Sequence, residues 1–318
     1  MTRNSLKHLA LFFLSASAAI VGIAVESVVD TDNPSEYYDK EDYEKLGFIG
    51  SGEFGTVYKI EDKKTQRIYA LKIQKMFYFL NAEKEISALQ QLDHENIVKM
   101  VARTDITSRH KYEPFHIVLE YMPYDLDAVL NHPEIKENTR EILHQVLKGV
   151  AYIHSKILAH RDINTKNILI DPKKLSVKIC DFGLCREGKE EETFLGMSID
   201  GYYRDVLSFA SLMVRLYLGE SSSCLLYRSV FIGIDGPECF IKTKREGGVV
   251  SGSELEILYE EMEEVVSKNG LDLFLKLITS KKIGGCTAAA EVLEHTFFTE
   301  GREQDQLPKE PKHRRLFS

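Results

Sequence analysis

Between residues 43 and 122 apolar and polar positions alternate in short runs. "KLGFI" (45–49) and "TVYKI" (56–60) each repeat with a period of two and predict strands. Glycines lie between them, so the pair reads as a strand–turn–strand. "RIYALKI" (67–73) predicts another strand, and "FHIVLEYM" (115–122) predicts one more after the polar turn in "LDHENIVKM". The period lengthens over "NAEKEISALQQL" (81–92), where Ile86, Leu89 and Leu92 recur at helical spacing. Helical spacing then dominates "NTREILHQVLKGVAYIHSKILAHRDINTKNILI" (138–170), which predicts a long amphipathic helix, a short loop and a strand. No internal repeat interrupts this order.

Composition narrows the picture without naming a chemistry. The chain has 318 residues, enough for two modest lobes with a real core. Hydrophobic residues make up 43% and charged residues 28%, ordinary globular usage, and the net charge of -8 argues against nucleic acid as a partner. Cys180, Cys185, Cys224, Cys239 and Cys286 form no C-x-x-C pair, which favours reduced thiols over a disulfide framework. The N-terminus points elsewhere. Residues 8–25 carry no Asp, Glu, Lys or Arg, and Arg3 and Lys7 precede them. That pattern fits a secretory signal or a marginal membrane anchor within 1–29; an extra buried helix or a start assigned too far upstream also fits. Any membrane association is expected through residues 8–25 alone. Residues 30–42 are polar and acidic and read as a linker, and the basic tail 301–318 reads as disordered.

The candidate chemistry lies in short motifs in a fixed order. Gly50, Gly52 and Gly55 form G-x-G-x-x-G, followed by Val57. A dinucleotide site has the same glycines but leads from a strand into a helix. Here they join two strands, where glycines let backbone N–H groups approach phosphate oxygens without Cβ obstruction. Lys72 follows in a strand. Glu85 borders the apolar face of the next helix, whereas Glu83 points away. "HRDINTKN" (160–167) and "DFGLC" (181–185) come later. This ordered set resembles the eukaryotic protein kinases over roughly residues 43–298. "EISALQQLDHENIVKM" and "LEYMPYDLDAVL" are similar to the matching stretches of cyclin-dependent kinases, and "SSSCLLYRSVFIGIDGPE" is loosely so.

The resemblance implies an α+β, bilobal protein kinase fold: a small β-rich N-lobe (43–122) with one regulatory helix and a larger, mainly helical C-lobe (123–300). It implies a Ser/Thr protein kinase that transfers the ATP γ-phosphate to protein hydroxyls in cell-cycle-type regulation, with ATP and Mg²⁺ as cofactors. Asp162 becomes the catalytic aspartate; Asn167 and Asp181 become the metal ligands. Lys72, paired with Glu85, holds the phosphates. Ile49, Gly50, Gly52, Gly55, Val57, Ala70, Leu119, Glu120, Met122 and Leu169 line the nucleotide, with Leu119 as gatekeeper and Glu120 and Met122 at the hinge. Leu89, Met100, His160 and Phe182 form a hydrophobic stack. Asp205, in the helix of "RDVLSFASLMVRLYLG" (204–219), anchors the catalytic loop, and "AAAEVLEHTFF" (288–298) is the closing helix. A protein substrate, a cyclin-like regulatory subunit and a nuclear or cytoplasmic location follow from the resemblance; residues 8–25 leave a secretory or anchored location open.

The chain also departs from the family. Asn164 replaces the lysine that neutralises the γ-phosphate; Lys166, four places after Asp162, either supplies that cation or is a solvated surface residue. Only 24 residues separate Asp181 from Asp205, with no A-P-E triplet, and Gly285 stands where its arginine partner belongs. Loss of both partners avoids a stranded buried charge. Lys72 to Glu85 is 13 residues, a short tether that limits helix movement. Glu53 and Phe54 replace inhibitory phosphosites. Arg161 calls for an anion nearby: phosphorylated Thr193 or Ser198, or Glu190 to Glu192 constitutively. "RRLF" near the end resembles a cyclin-docking motif. The truncation makes a weakly active or inactive nucleotide-binding scaffold the alternative.

Overall fold

In this computed structural model the described residues are 36–110, 113–194, 197–231, 236–246, 248, 253–279 and 288–300; for 192–194, 197, 198, 227, 228, 230, 231, 236–239 and 245 the backbone alone is described. The expectations placed on 1–29, the first part of the linker, Gly285, the side chains of Thr193 and Ser198, and the tail lie outside them.

A five-stranded antiparallel sheet comes first, in the order β1-β2-β3-β5-β4. Its strands are β1 (Tyr43–Ser51), β2 (Gly55–Asp62), β3 (Ile68–Gln74), β4 (Met100–Arg103) and β5 (Phe115–Glu120), with helix α1 (Phe79–Leu89) between β3 and β4. Alternation explains its two faces. Tyr69 and Leu71 of β3 join Tyr43, Ile60, Ala102 and Val118 in an outer apolar cluster. Phe115, Ile117 and Leu119 of β5 face the other way, into the main core with Ile86 and Leu89 of α1. Ala70, Lys72 and Gln74 alternate onto that inner face; they pair across with Leu119, Ile117 and Phe115.

The sheet does not begin at its first strand. Residues 36–42, read as the second half of a linker, are docked on it. Tyr37 bridges Arg103 in parallel, and Glu36 Oε1 accepts from Arg103 NH2 at 2.8 Å. Tyr38 stacks on His116 (4.6 Å) and Tyr43 (5.7 Å). The two tyrosines bring aromatic surface that an acidic average conceals.

Helices dominate after residue 125. β6 (Tyr124–Asp125), α2 (Leu126–Val129) and α3 (Pro133–Glu137) lead into α4 (Thr139–Ser155). α4 buries Ile142, Leu143, Val146, Leu147, Val150 and Ile153 along one stripe; each side chain contributes about 1.5–3 kcal/mol of burial. β7 (Leu158–Ala159), β8 (Ile168–Asp171) and β9 (Ser176–Ile179) follow, then β10 (Arg186–Glu187), β11 (Glu191–Phe194) and β12 (Met197–Asp200). α5 (Gly201–Leu218) is capped by Asp200, whose Oδ1 accepts from Tyr203 N at 2.8 Å, and stops at Gly219, whose φ of 100° suits glycine. α6 (Glu220–Phe231), α7 (Gly236–Arg245), α8 (Glu254–Val265) and α9 (Lys268–Ile278) follow; α6, α8 and α9 pack on α5, and α7 packs on α6 and α8. The closing segment is not one helix: α10 (Ala289–Leu293) gives way to a 3-10 turn, Thr296–Phe298, started by His295 accepting from Phe297 N.

This is the α+β bilobal arrangement that the resemblance implies. The lobes share one core and one backbone seam, where Val98 N donates to Ile179 O and Ile179 N to Asn96 O, both at 2.9 Å. No helix among the described residues is long and apolar enough to cross a membrane.

Candidate active site

Lys72 sits mid-strand in β3, opposite Val57 and Ile117, and faces the inner side of the sheet. α1 brings Glu85 to the same place. Glu85 is fully buried, deeper than the border position its spacing predicts. Lys72 Nζ donates to Glu85 Oε1 (2.9 Å) and Oε2 (2.7 Å) and to Asp181 Oδ1 (3.0 Å). Burial alone would lower the Lys72 pKa, but the two carboxylates outweigh it and hold the ammonium above the usual lysine range. Burial pushes the Glu85 carboxyl up, and Lys72 and the Gln74 amide offset part of that rise.

The catalytic loop is built around Asp205 of α5, which is fully buried. Its carboxylate accepts from His160 N (2.8 Å), Arg161 N (2.7 Å) and His154 Nε2 (3.0 Å). Those bonds help pin Arg161 at a φ of 68°, a left-handed conformation that costs a non-glycine about 1–3 kcal/mol. Asp181 is left-handed too, with a φ of 64°. His160 Nε2 meets Cys180 O at 2.9 Å and its ring lies 4.9 Å from Phe182, edge to face. Leu89 and Phe182 are buried in the main core, and Met100 packs against it.

Asp162 is clamped at both oxygens. Asn164 Nδ2 donates to Oδ1 (3.0 Å) and Asn167 Nδ2 to Oδ2 (2.7 Å). Burial raises the Asp162 carboxyl above the ordinary carboxylate range, only partly opposed by these donors. Asp181 goes the other way: burial opposes its charge, but Lys72 prevails and the carboxyl lies below that range. The environment thus moves the two carboxyls in opposite directions.

The residues present fit Mg²⁺, a hard cation that takes oxygen ligands. Asn167 spends its amide hydrogens on Asp162 O (2.9 Å) and Oδ2, which leaves Oδ1 as the outward oxygen. Asp181 turns Oδ1 to Lys72 and Gly183, and its Oδ2 bonds nothing among the described residues. Cys180 N donates to Asn167 O at 2.9 Å, which ties the two ligand-bearing loops together. The glycine loop fits phosphate. At Gly50 and Gly52 a Cβ would meet no protein atom within 4 Å, so chain packing does not require their bareness. At Gly55 it would meet Ile73 O at 2.2 Å, a structural need of the β2–β3 pairing.

The remaining expected residues divide by exposure. Leu119 is buried; Val57, Ala70, Met122 and Leu169 are half-buried; Ile49 is 47% exposed on β1. The Glu120 side chain accepts from Lys99 N (2.7 Å) and pairs with Lys178 (2.9 Å), and its backbone N–H donates to Lys99 O (2.9 Å), so neither is left for a base. Lys166 is exposed, and it is its backbone N–H that is engaged, donating to Asn164 Oδ1 at 2.9 Å. Its ammonium is not brought to Asp162. Asn164, read in the sequence only as a lost lysine, meets Asp162 together with Asn167, and it also caps the 3-10 turn Thr165–Asn167. Its spacing of two from Asp162 was the available signal.

After Phe182 the short segment is held mostly by backbone. Gly188 N donates to Ile157 O (3.0 Å) and Gly201 N to Gly188 O (2.8 Å); β10 pairs with β7, and β11 with β12. Arg161 NH2 donates to Glu190 O (2.8 Å) and Glu187 O (3.3 Å), with the Glu190 carboxylate at 3.8 Å. Of the anions foreseen for Arg161, Glu190 is therefore beside it, though carbonyl oxygens provide the shorter contacts.

A buried lysine–glutamate pair below a glycine hairpin, with two aspartates and an asparagine beside it, is the arrangement of the protein kinase class. The comparisons agree, and the chain belongs to the protein kinase family: the protein kinase domain matches residues 43–205. It is cyclin-dependent-kinase-like. It is 34% identical over 297 residues to a probable cyclin-dependent kinase 9 of Schizosaccharomyces pombe, covering 84% of this chain and 48% of that protein. It is 36% identical over 154 residues to a serine/threonine-protein kinase of Saccharomyces cerevisiae (43% of this chain, 23% of that protein). A Candida albicans serine/threonine-protein kinase is 34% identical over 194 residues (52% and 26%). The chain thus spans from about a quarter to about half the length of these relatives.

Proposed function

We propose that the chain is a Mg²⁺- and ATP-dependent Ser/Thr protein kinase, with 43–122 and 123–300 as its two lobes. The assembled Lys72–Glu85–Asp181 network carries this reading. Lys72 is charged, buried and aimed by two carboxylates, ready to meet phosphate oxygens. Asp162, with its pKa raised and its carboxylate clamped by two amides, is oriented to accept a substrate hydroxyl proton. Asn167 and Asp181 would hold Mg²⁺, which supplies charge neutralisation at the transferring phosphate. Protein substrates and a cyclin-like regulatory subunit are supported by the family and by one relative's description as cyclin-dependent. A cell-cycle role and a nuclear or cytoplasmic location rest on resemblance alone; tags at each end of the intact chain would test the location against the secretory alternative. The direct test is γ-phosphate transfer from Mg-ATP to a basic Ser/Thr substrate beside Asp162→Ala and Lys166→Ala. Transfer lost in Asp162→Ala supports the proposal, and failure of the wild type to bind Mg-ATP would sink it.

The short hairpin after Asp181 favours a second reading, a nucleotide-binding scaffold. Nucleotide binding without transfer, with candidate cyclins present, would select it.

A further inference from the structure

Gln74 has no assigned role, yet it sits at the centre of the nucleotide-binding pair. It ends β3, two residues past Lys72 and on the same face of the strand. It is fully buried. Its Nε2 donates to Glu85 Oε2, the oxygen that Lys72 Nζ approaches at 2.7 Å. Chemistry fixes the amide's orientation, because a carboxylate accepts and does not donate. The cost shows on the other side: Gln74 Oε1 is buried with no partner among the described residues. An apolar side chain of the same size would avoid that orphaned acceptor. The site keeps it together with the donor.

A second tie reaches α1 one turn earlier, on the same face as Glu85. Asn81, one turn before Glu85, donates from Nδ2 to Gly183 O at 3.0 Å. The tether from Lys72 to Glu85 is 13 residues. α1 is therefore bound to β3 and to the segment after Asp181 by the chain's own atoms.

We infer that Gln74 is a positioning residue: it holds the α1 carboxylate on Lys72 from within the chain, so the pair assembles without a partner subunit pressing on α1. The functional meaning rests on the kinase reading above; the hydrogen bond and its effect on α1 do not. The other charged or titratable groups around Glu85 are Lys72 on β3, and Asp181 and Cys180 after β9.

The test uses the full 318-residue chain alone, as wild type, Gln74→Met and Gln74→Glu. Gln74→Met keeps the volume and removes the donor. Hydrogen exchange over α1 is expected to quicken by about fivefold or more, with α5 unchanged as the internal reference. Unchanged exchange in α1 overturns the inference whether or not the protein transfers phosphate. In kinetics, KM for Mg-ATP is expected to rise by about 3–10-fold in Gln74→Met, with KM for the peptide unmoved. Gln74→Glu places two carboxyls together, which share a proton. A protonated carboxyl donates as the amide does, so its α1 exchange is expected to approach the wild-type rate as the pH falls from about 8 to 6. A pH-independent ratio of variant to wild-type exchange overturns the inference, and this arm decides if Gln74→Met fails to fold. Absence of phosphate transfer by the wild type would count against the kinase reading only.

Discussion

The two halves of the site are built by different means. The candidate nucleotide and metal side is held by side chains: Lys72, Glu85, Gln74, Asp162, Asn167 and Asp181 bond one another or the adjoining backbone. The segment after Phe182 is held mostly through its own main chain, with β10 on β7, β11 on β12, and carbonyl oxygens of Gly183, Glu187 and Glu190 accepting from the Asn81 and Arg161 side chains. Side-chain networks leave a signature of residue types at fixed positions. Backbone networks leave almost none, because every residue carries the same donor and acceptor. The first half therefore follows the family, while the second could shorten and still close.

Asp162→Ala should reduce kcat by roughly 10²–10⁴-fold, with nucleotide binding kept. Loss of binding as well would mean that the two halves are not separable in this way. Asp205→Ala removes the acceptor of two buried N–H groups at about 1–3 kcal/mol each, so urea unfolding should show a loss of about 3 kcal/mol. An unchanged midpoint would show the loop to be held elsewhere. Arg161→Met withdraws the donor to the hairpin carbonyls. Limited proteolysis between 186 and 200 should quicken by on the order of tenfold, the equivalent of about 1.4 kcal/mol of local stability. Glu190→Gln keeps those carbonyls and should be near neutral, within about 0.5 kcal/mol. If Glu190→Gln matches Arg161→Met, the carboxylate holds the segment and the contrast with the nucleotide side fails.

Asn164→Lys adds charge beside Asp162 and should raise kcat by roughly 3–10-fold; a fall would show that the amide clamp matters more than the missing cation. The smallest effect belongs to the outer face of the sheet. Burial, with Lys45 nearby, lowers the His116 pKa from 6.5. The unfolded chain then binds more protons than the folded one, so stability is full above about pH 6.5 and declines as pH falls toward the folded value. His116→Phe should flatten that shallow decline in thermal unfolding across pH 5–7; the same slope in both would assign it to other groups.

Much of the chemistry was legible because kinase residues recur in a fixed order, and strand alternation placed Lys72 on the correct face. Glu85 was legible as a helix position but not as a fully buried charge, since its depth depends on how α1 meets β3. Gln74 gave a faint signal, a polar residue alternating with Lys72 on an inward face. Residues 36–42 were misread because average polarity hid Tyr37 and Tyr38. The closing helix was predicted too long, because His295 caps a new turn and ends the old one.

The sequence alone carried the order of the main elements and the candidate residues for phosphate and metal, since periodicity and residue type are local properties. The tertiary structure alone decided which polar atoms satisfy one another. Asn164 joined Asn167 in the clamp on Asp162 while Lys166 stayed in solvent, Gln74 took the second oxygen of Glu85, and Arg161 settled on carbonyls. Those outcomes depend on distances of about 3 Å between groups far apart in the chain. A buried donor or acceptor takes the partner that packing brings within reach.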